Sequence, residues 1–197
     1  MRITIFFFFL FASFFSSFQN LKQLNYFAYA QEQNINSTSS GIEKQEYNLP
    51  YSGLLPDNLF YPIKMLRDRI VYFFIKDSLK RTEFALLQAD KRIGGGYLFF
   101  LKDKKNNSNA LPTLSGGQNY FEEATINLKE SSRQGMDIDY VFRNMQNSLG
   151  KQEEIFIDIM SKIDKDNIKI IMDIEARRKK LKNQLKIFIE KQGQNNE

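Results

Sequence analysis

Four groupings of side chains in this 197-residue chain have types and spacings that bear on chemistry. Asp164-x-Asp166, with Glu175 at the twelfth position, has part of the spacing of a calcium loop. Ile168 and Lys169 stand where that loop needs an oxygen ligand and a sharply turning glycine, so the segment reads as a helix-capping turn. Gly94-Gly95-Gly96 could let a phosphate approach the backbone. It lacks the Lys-Ser/Thr that completes a P-loop, and no strand precedes it, so it reads as a kink or a close helix contact. The acid pairs Glu122-Glu123 and Glu153-Glu154 do not converge, because neighbours on a helix point ~100° apart. The densest basic run is Arg177-Arg178-Lys179-Lys180, followed by Lys182 and Lys186. It reads as a solvated helix face, with an anionic surface as its alternative partner and nucleic acid as a remote one.

The residue types that are missing narrow the chemistry further. The chain has no cysteine and no histidine. That removes disulfides, a thiol for lipid attachment, Cys/His zinc sites, and the commonest general base. A carboxylate di-metal site in a bundle would want Glu-x-x-His, which is also excluded. The expectation is a protein that is not an enzyme and that has no cofactor and no catalytic or metal site.

Residues 1–30 read as an export signal: Met1-Arg2, an apolar run from Ile3 rich in Phe, and Ala28-Tyr29-Ala30 before Gln31. The rival readings are an uncleaved anchor, although Ile3 to Phe18 falls short of the ~17–25 residues of a spanning helix, and a buried core helix. Without Arg2 and Lys22 the mature chain carries 26 basic and 23 acidic residues, a mixed surface of +3 that implies no particular partner. Residues 31–46 are polar and read as a flexible linker.

From residue 47 to 191 the pattern predicts a helical domain, with a disordered tail at 192–197. Pro50, Pro56 and Pro62 restrict the first part of it. Leu59, Ile63, Leu66, Ile70 and Phe73 then form one apolar stripe, with Asp57 as the expected N-cap and Pro62 in the first turn. Asp77 or Ser78 caps a second helix carrying Leu79, Leu86, Ile93, Tyr97 and Phe100, which the three glycines are expected to interrupt. Residues 102–115 read as a loop. A short helix follows near 118–132, with Phe121, Ala124 and Leu128 inward. Ile138, Phe142, Met145, Leu149, Phe156 and Ile163 mark a long helix, and Ile171, Ile174, Leu181, Leu185 and Phe188 another, with Arg178 on its seam. The fold class is all-α: about five amphipathic helices in an antiparallel bundle, preceded by the signal and an extended proline segment.

The proline segment, Leu49-Pro50-Tyr51-Ser52-Gly53-Leu54-Leu55-Pro56-Asp57 with Tyr61-Pro62-Ile63-Lys64, resembles a bacterial family catalogued as domain of unknown function 5667. Ala89-Asp90-Lys91-Arg92 matches a second feature of that family. Ser52 and Leu59 stand where the family has proline, and the glycine triplet replaces an Ala-rich helix. The resemblance spans Leu49 to Ile189, tightly over the proline segment and loosely beyond. It implies an exported helical protein and supplies no catalytic residues.

These readings lead to a non-enzymatic, exported or membrane-tethered structural or interaction module of the bacterial envelope. Its partner would be an envelope protein or an anionic surface, and its N-terminal segment could touch the membrane. The alternative is a binding protein for a lipid or other apolar ligand held between helices, distinguished by a lined cavity. The candidate structural motif is Leu49, Pro50, Gly53, Leu55, Pro56, Asp57, Tyr61 and Pro62, with Leu54, Leu55 and Tyr61 as apolar anchors. The candidate basic surface is Arg177, Arg178, Lys179 and Lys180. Leu66, Ile70, Leu86, Leu149 and Leu181 are expected in the core.

Overall fold

Pro62 opens the first helix of the computed structural model, which describes residues 47–102 and 108–194. The signal, the 31–46 linker and the last three residues lie outside the described residues. Every regular element described is a helix: α1 (Tyr61–Phe74), α2 (Ser78–Lys102), α3 (Ala110–Arg133), α4 (Asp139–Lys162) and α5 (Lys165–Gln194). All belong to the unit that runs from Glu46 to Glu197.

The helix ends follow local chemistry. Pro62 sits in the first turn of α1, where an absent N–H leaves nothing unsatisfied. Asp57 does not cap α1. Asn58 accepts the Phe60 N–H at 2.9 Å instead, and Asp57 faces Lys102 at 3.5 Å. Asp77 does cap α2, accepting the Lys80 N–H at 2.9 Å. At the end of α3, Gly135 takes φ +76°. Its N–H bonds the Ser132 carbonyl and the Met136 N–H bonds that of Ser131, closing a Schellman turn.

Two boundaries differ from the sequence reading. Helix α2 runs unbroken through Gly94-Gly95-Gly96, and α3 begins at Ala110 rather than near Gln118. Both have one cause. A Cβ on Gly96 would stand 2.6 Å from Leu114 Cγ, and one on Gly117 would stand 2.7 Å from Ile93 Cδ1. The glycines let α2 and α3 approach closely, and the packing offsets their poor helix propensity. Pro112 falls in the first turn of α3, where it is tolerated.

Helices α2 to α5 form the bundle. Ser78 meets Ser131 while Gly96 meets Leu114, so α2 and α3 run oppositely. Two apolar clusters fill it. One joins Leu86, Phe121, Leu128, Met145, Leu149, Leu181 and Leu185. The other joins Ile93, Phe100, Leu114, Phe156, Ile159, Ile171 and Ile174. Leu86, Leu149 and Leu181 are therefore core residues as expected. Leu66 and Ile70 are not: they are 60% and 40% exposed.

The chain before α1 has no regular structure from Tyr47 to Leu55. It lies against the glycine face of α2. A Cβ on Gly95 would meet Leu55 Cδ2 at 2.9 Å, and one on Gly94 would meet Ser52 Oγ at 3.1 Å. Lys64 Nζ donates to the Ser52 and Leu54 carbonyls at 2.9 and 3.0 Å. Gly53 between them has φ +67°, a backbone state that suits glycine. Leu49 and Leu55 pack on the second cluster, whereas Leu54, an expected anchor, is exposed.

Candidate functional site

Two features of this fold depart from a plain helical core. The first is a polar layer between the two apolar clusters. Asp90 of α2 is fully buried. Tyr47 donates to its Oδ2 at 2.5 Å, and Ser148 of α4 donates to its Oδ1 at 2.5 Å. Gln152 Nε2 donates to Ser148 Oγ at 3.0 Å, and Gln118 of α3 donates to Gln152 Oε1 at 2.8 Å. Gln118 Oε1 has no hydrogen-bond partner among the described residues. Burial pushes the Asp90 carboxyl up to about 6, and the hydrogen bonds from Ser148, Tyr47 and Gln152 hold it from rising further.

Helix α5 contributes Arg178 and Glu175, both buried. Arg178 donates to Glu175 at 2.6 and 2.8 Å and to the Leu149 carbonyl at 3.2 Å, and it lies 3.4 Å from Glu153. Burial works against this cation, but the hydrogen bonds and charge of Glu175, then Glu153, more than offset it. Arg178 thus leaves the expected basic surface. Its seam position takes it inside, where removing it would strand Glu175. The rest of the run is largely occupied within the chain. Arg177 bonds Asn119 at 2.6 Å and nears Glu122 at 3.5 Å, and Lys179 lies 3.7 Å from Glu175. Lys182 bonds Glu153 at 2.9 Å. Lys180 is exposed.

The layer has a sequence signal of which the heptad reading took up only Arg178. Leu86, Asp90 and Ile93 step by four and three, as do Leu114, Gln118 and Phe121. Gln152 falls between Leu149 and Phe156, and Arg178 between Ile174 and Leu181. One seam position on each helix is polar; hydrogen bonds join Asp90, Gln118 and Gln152 through Ser148, and Arg178 reaches the Leu149 carbonyl on the same helix as Gln152. The Ser148 hydroxyl donates to Asp90 and accepts from Gln152, so it is held as a structural link. Glu175 is committed to Arg178, which separates it from Asp164 and Asp166 as a cation ligand. Among the described residues no three carboxylates cluster to hold a metal ion.

The second feature is the orientation of α1. The apolar stripe Leu59, Ile63, Leu66, Ile70 and Phe73 was expected to face the core, yet it faces solvent together with Phe60 and Phe74. The one fully buried residue of α1 is Asp68, which Arg67 bonds at 2.7 Å. Met65 and Tyr72 meet the bundle on the same side. Met65 Sδ lies 2.7 Å from Arg92, and Tyr72 accepts a hydrogen bond from Asn127 at 3.0 Å. Arg81 stacks on the Tyr72 ring at 5.4 Å and Arg92 on the Tyr120 ring at 4.9 Å. A cleft of about 380 Å³ separates α1 from α2 and α3, with Asp68, Arg69, Arg92, Asn119 and Glu123 among its walls. Helix α1 therefore rests on the bundle by polar and aromatic groups and turns its apolar side away.

The proline motif falls beside α1. Leu49, Pro50, Gly53, Leu55, Pro56 and Tyr61 are half-buried, and Asp57 and Pro62 are exposed. No helix among the described residues is long and apolar enough to cross a membrane. Comparisons of the chain with protein-family models, curated proteins and solved structures returned no match.

Proposed function

We propose that this chain is a non-enzymatic helical interaction module of the bacterial envelope. Residues 1–30 would export it or tether it to the membrane. The four-helix bundle would serve as a rigid platform, and α1, strapped to it by the proline segment, would present the binding surface. One observation carries this reading: the seven large apolar residues from Leu59 to Phe74 that α1 and its lead-in turn toward solvent. A contiguous apolar face of that kind marks an interaction site. Kinship with the family of unknown function 5667, based on the proline segment, belongs to the same proposal and agrees with an exported location. The alternative, an apolar ligand held between helices, would have to use the cleft beside α1, where the charged groups of Asp68, Arg69, Arg92 and Glu123 share the walls with Tyr72, Phe84 and Tyr120. The test is fractionation and capture. The chain should leave the cytoplasm of a bacterial host and associate with an envelope component. Leu66→Glu with Phe73→Glu should abolish that association without loss of helix content. A chain that stays soluble in the cytoplasm, or an association indifferent to both substitutions, would overturn the proposal.

A further inference from the structure

The chemistry of the α1 face identifies what it meets. The exposed apolar residues are 40–86% accessible. At ~150–200 Å² for each large side chain they leave roughly 750 Å² uncovered, more than the largest patch of a typical monomer. At ~100° per residue, Pro62, Phe73, Leu66, Ile70, Ile63 and Phe74 fill a sector ~120° wide. Arg69 lies at one edge of that sector and Arg67 at the other. Lys76 follows just beyond the helix. The only acid on α1 is Asp68, on the opposite side and buried against Arg67. Arg69 and Lys76 form no ion pair with a described residue. Of the other acids around the helix, Asp57 faces Lys102, Asp77 caps α2, and Glu123 lines the cleft on the bundle side of Arg69.

We infer that α1 docks flat on an anionic lipid surface, with its apolar sector among the acyl chains and Arg69 and Lys76 among the headgroup phosphates, while Arg67 stays paired with Asp68. This rests on the reading of α1 as the interaction face and names its partner. The argument is charge complementarity. An apolar stripe with cationic edges, on a helix of modest overall hydrophobicity, is the pattern of a helix lying in the membrane interface. Long cationic side chains at the edges can reach headgroups while their stems stay in the apolar layer. A second copy of the chain fits less well. Laying two such stripes together would bring arginine edges against a helix that has no exposed acid to pair with them.

The chain has no tryptophan, so Phe73→Trp in the full-length protein gives a reporter at this site alone. Ile157→Trp, on an exposed face of α4, is the control. Both are mixed with vesicles of phosphatidylcholine and phosphatidylglycerol, or of phosphatidylcholine alone, with brominated acyl chains as quencher. The expected result is a blue shift and quenching at position 73 on anionic vesicles only, with no change at 157. Added Arg69→Gln and Lys76→Gln should together weaken the response roughly 30-fold, from ~1 kcal/mol per basic residue at an anionic surface. Salt should weaken it too. Emission at position 73 that stays solvent-like with all vesicles overturns the lipid assignment. Shielding without lipid that grows with protein concentration overturns it in favour of a second copy. Shielding without lipid at every concentration, lost when residues 1–46 are removed, overturns it in favour of the chain's own N-terminal segment. If lipid binding fails but envelope capture remains sensitive to Leu66→Glu with Phe73→Glu, the interaction module stands with a protein partner. If both fail, the functional proposal falls as well.

Discussion

Asp90 sets a pH dependence of stability opposite in sign to that of most carboxylates. Its folded-state pKa is raised to about 6 from a reference of 3.8, mainly by burial. Between those values the folded state holds a proton that the unfolded state has released. Stability linked to this group is therefore full below about pH 4, falls as pH rises toward about 6, and is flat above. The rise from 3.8 to about 6 corresponds to about 3 kcal/mol. Surface carboxylates such as Glu153, held low by Lys182, act in the opposite sense at lower pH, so the difference between two proteins is the informative quantity. Asp90→Asn keeps the shape and cannot ionise. Urea unfolding followed by circular dichroism, for wild type and variant at several pH values, should show the wild type losing about 3 kcal/mol relative to the variant between about pH 4 and pH 7. Tyr47→Phe removes one donor and should move the wild-type midpoint above about 6. A difference independent of pH would mean that Asp90 is not shifted. Wild-type stability rising relative to the variant would mean that the hydrogen bonds outweigh burial, and the account of the layer would be wrong.

Three further perturbations test the packing. Arg178→Ala strands Glu175 and should cost ~3–5 kcal/mol, whereas Arg178→Met with Glu175→Leu should lie near neutral or be stabilising; a double variant as unstable as the single would contradict this account of the pair. Gly96→Ala should destabilise by ~1–3 kcal/mol despite alanine's better helix propensity, because its Cβ would meet Leu114. Gly150→Ala, where nothing lies within 4 Å, should stabilise by ~0.8–1 kcal/mol; equal effects at the two sites, read as unfolding midpoints, would refute the close α2–α3 approach. Deleting residues 49–57 uncovers Gly94 and Gly95 and should lower the urea midpoint, while an unchanged midpoint would show the strap to be separable from the fold.

The periodicity of the sequence locates the core of α2 to α5 because each stripe there meets other stripes. Leu86, Phe121, Leu149 and Leu181 lie where the 3-4 spacing places them. The start of α3 was hidden because Leu111-Pro112-Thr113-Leu114-Ser115-Gly116-Gly117 has the composition of a loop. Its helicity depends on Leu114 filling the gap over Gly96, a tertiary contact that local propensity does not record. The glycine triplet was legible as a kink or a close helix contact; the fold uses the contact, and which of the two it would be depended on packing partners distant in sequence. Arg178 was read on its seam, whereas Asp90, Gln118 and Gln152 occupy seam positions that a reading built on apolar residues alone skips. What joins them into one layer is the register between helices, which no single helix specifies.

The α1 stripe shows where periodicity stops being informative. A hydrophobic repeat identifies the face of a helix that avoids water, not the body that receives it. A bundle core and the apolar layer of a membrane call for the same stripe. The discriminating residues lie on the other side. A helix that buries its apolar stripe in a core directs its charges to solvent, whereas α1 buries Asp68 and half-buries Tyr72 against the bundle and keeps Leu66 and Phe73 outside. The four bundle helices already fill one another's seams, with Phe100, Phe121 and Phe156 fully enclosed. Admitting Leu66 and Phe73 as well would require opening a packed interior, at the overpacking cost of ~1–3 kcal/mol or more. The polar underside of α1 instead meets Arg92, Arg81 and Asn127, and its apolar side is left for a surface outside the bundle. The orientation thus follows from competition between two apolar faces for one interior, and the proposed anionic surface is what would accept the excluded face.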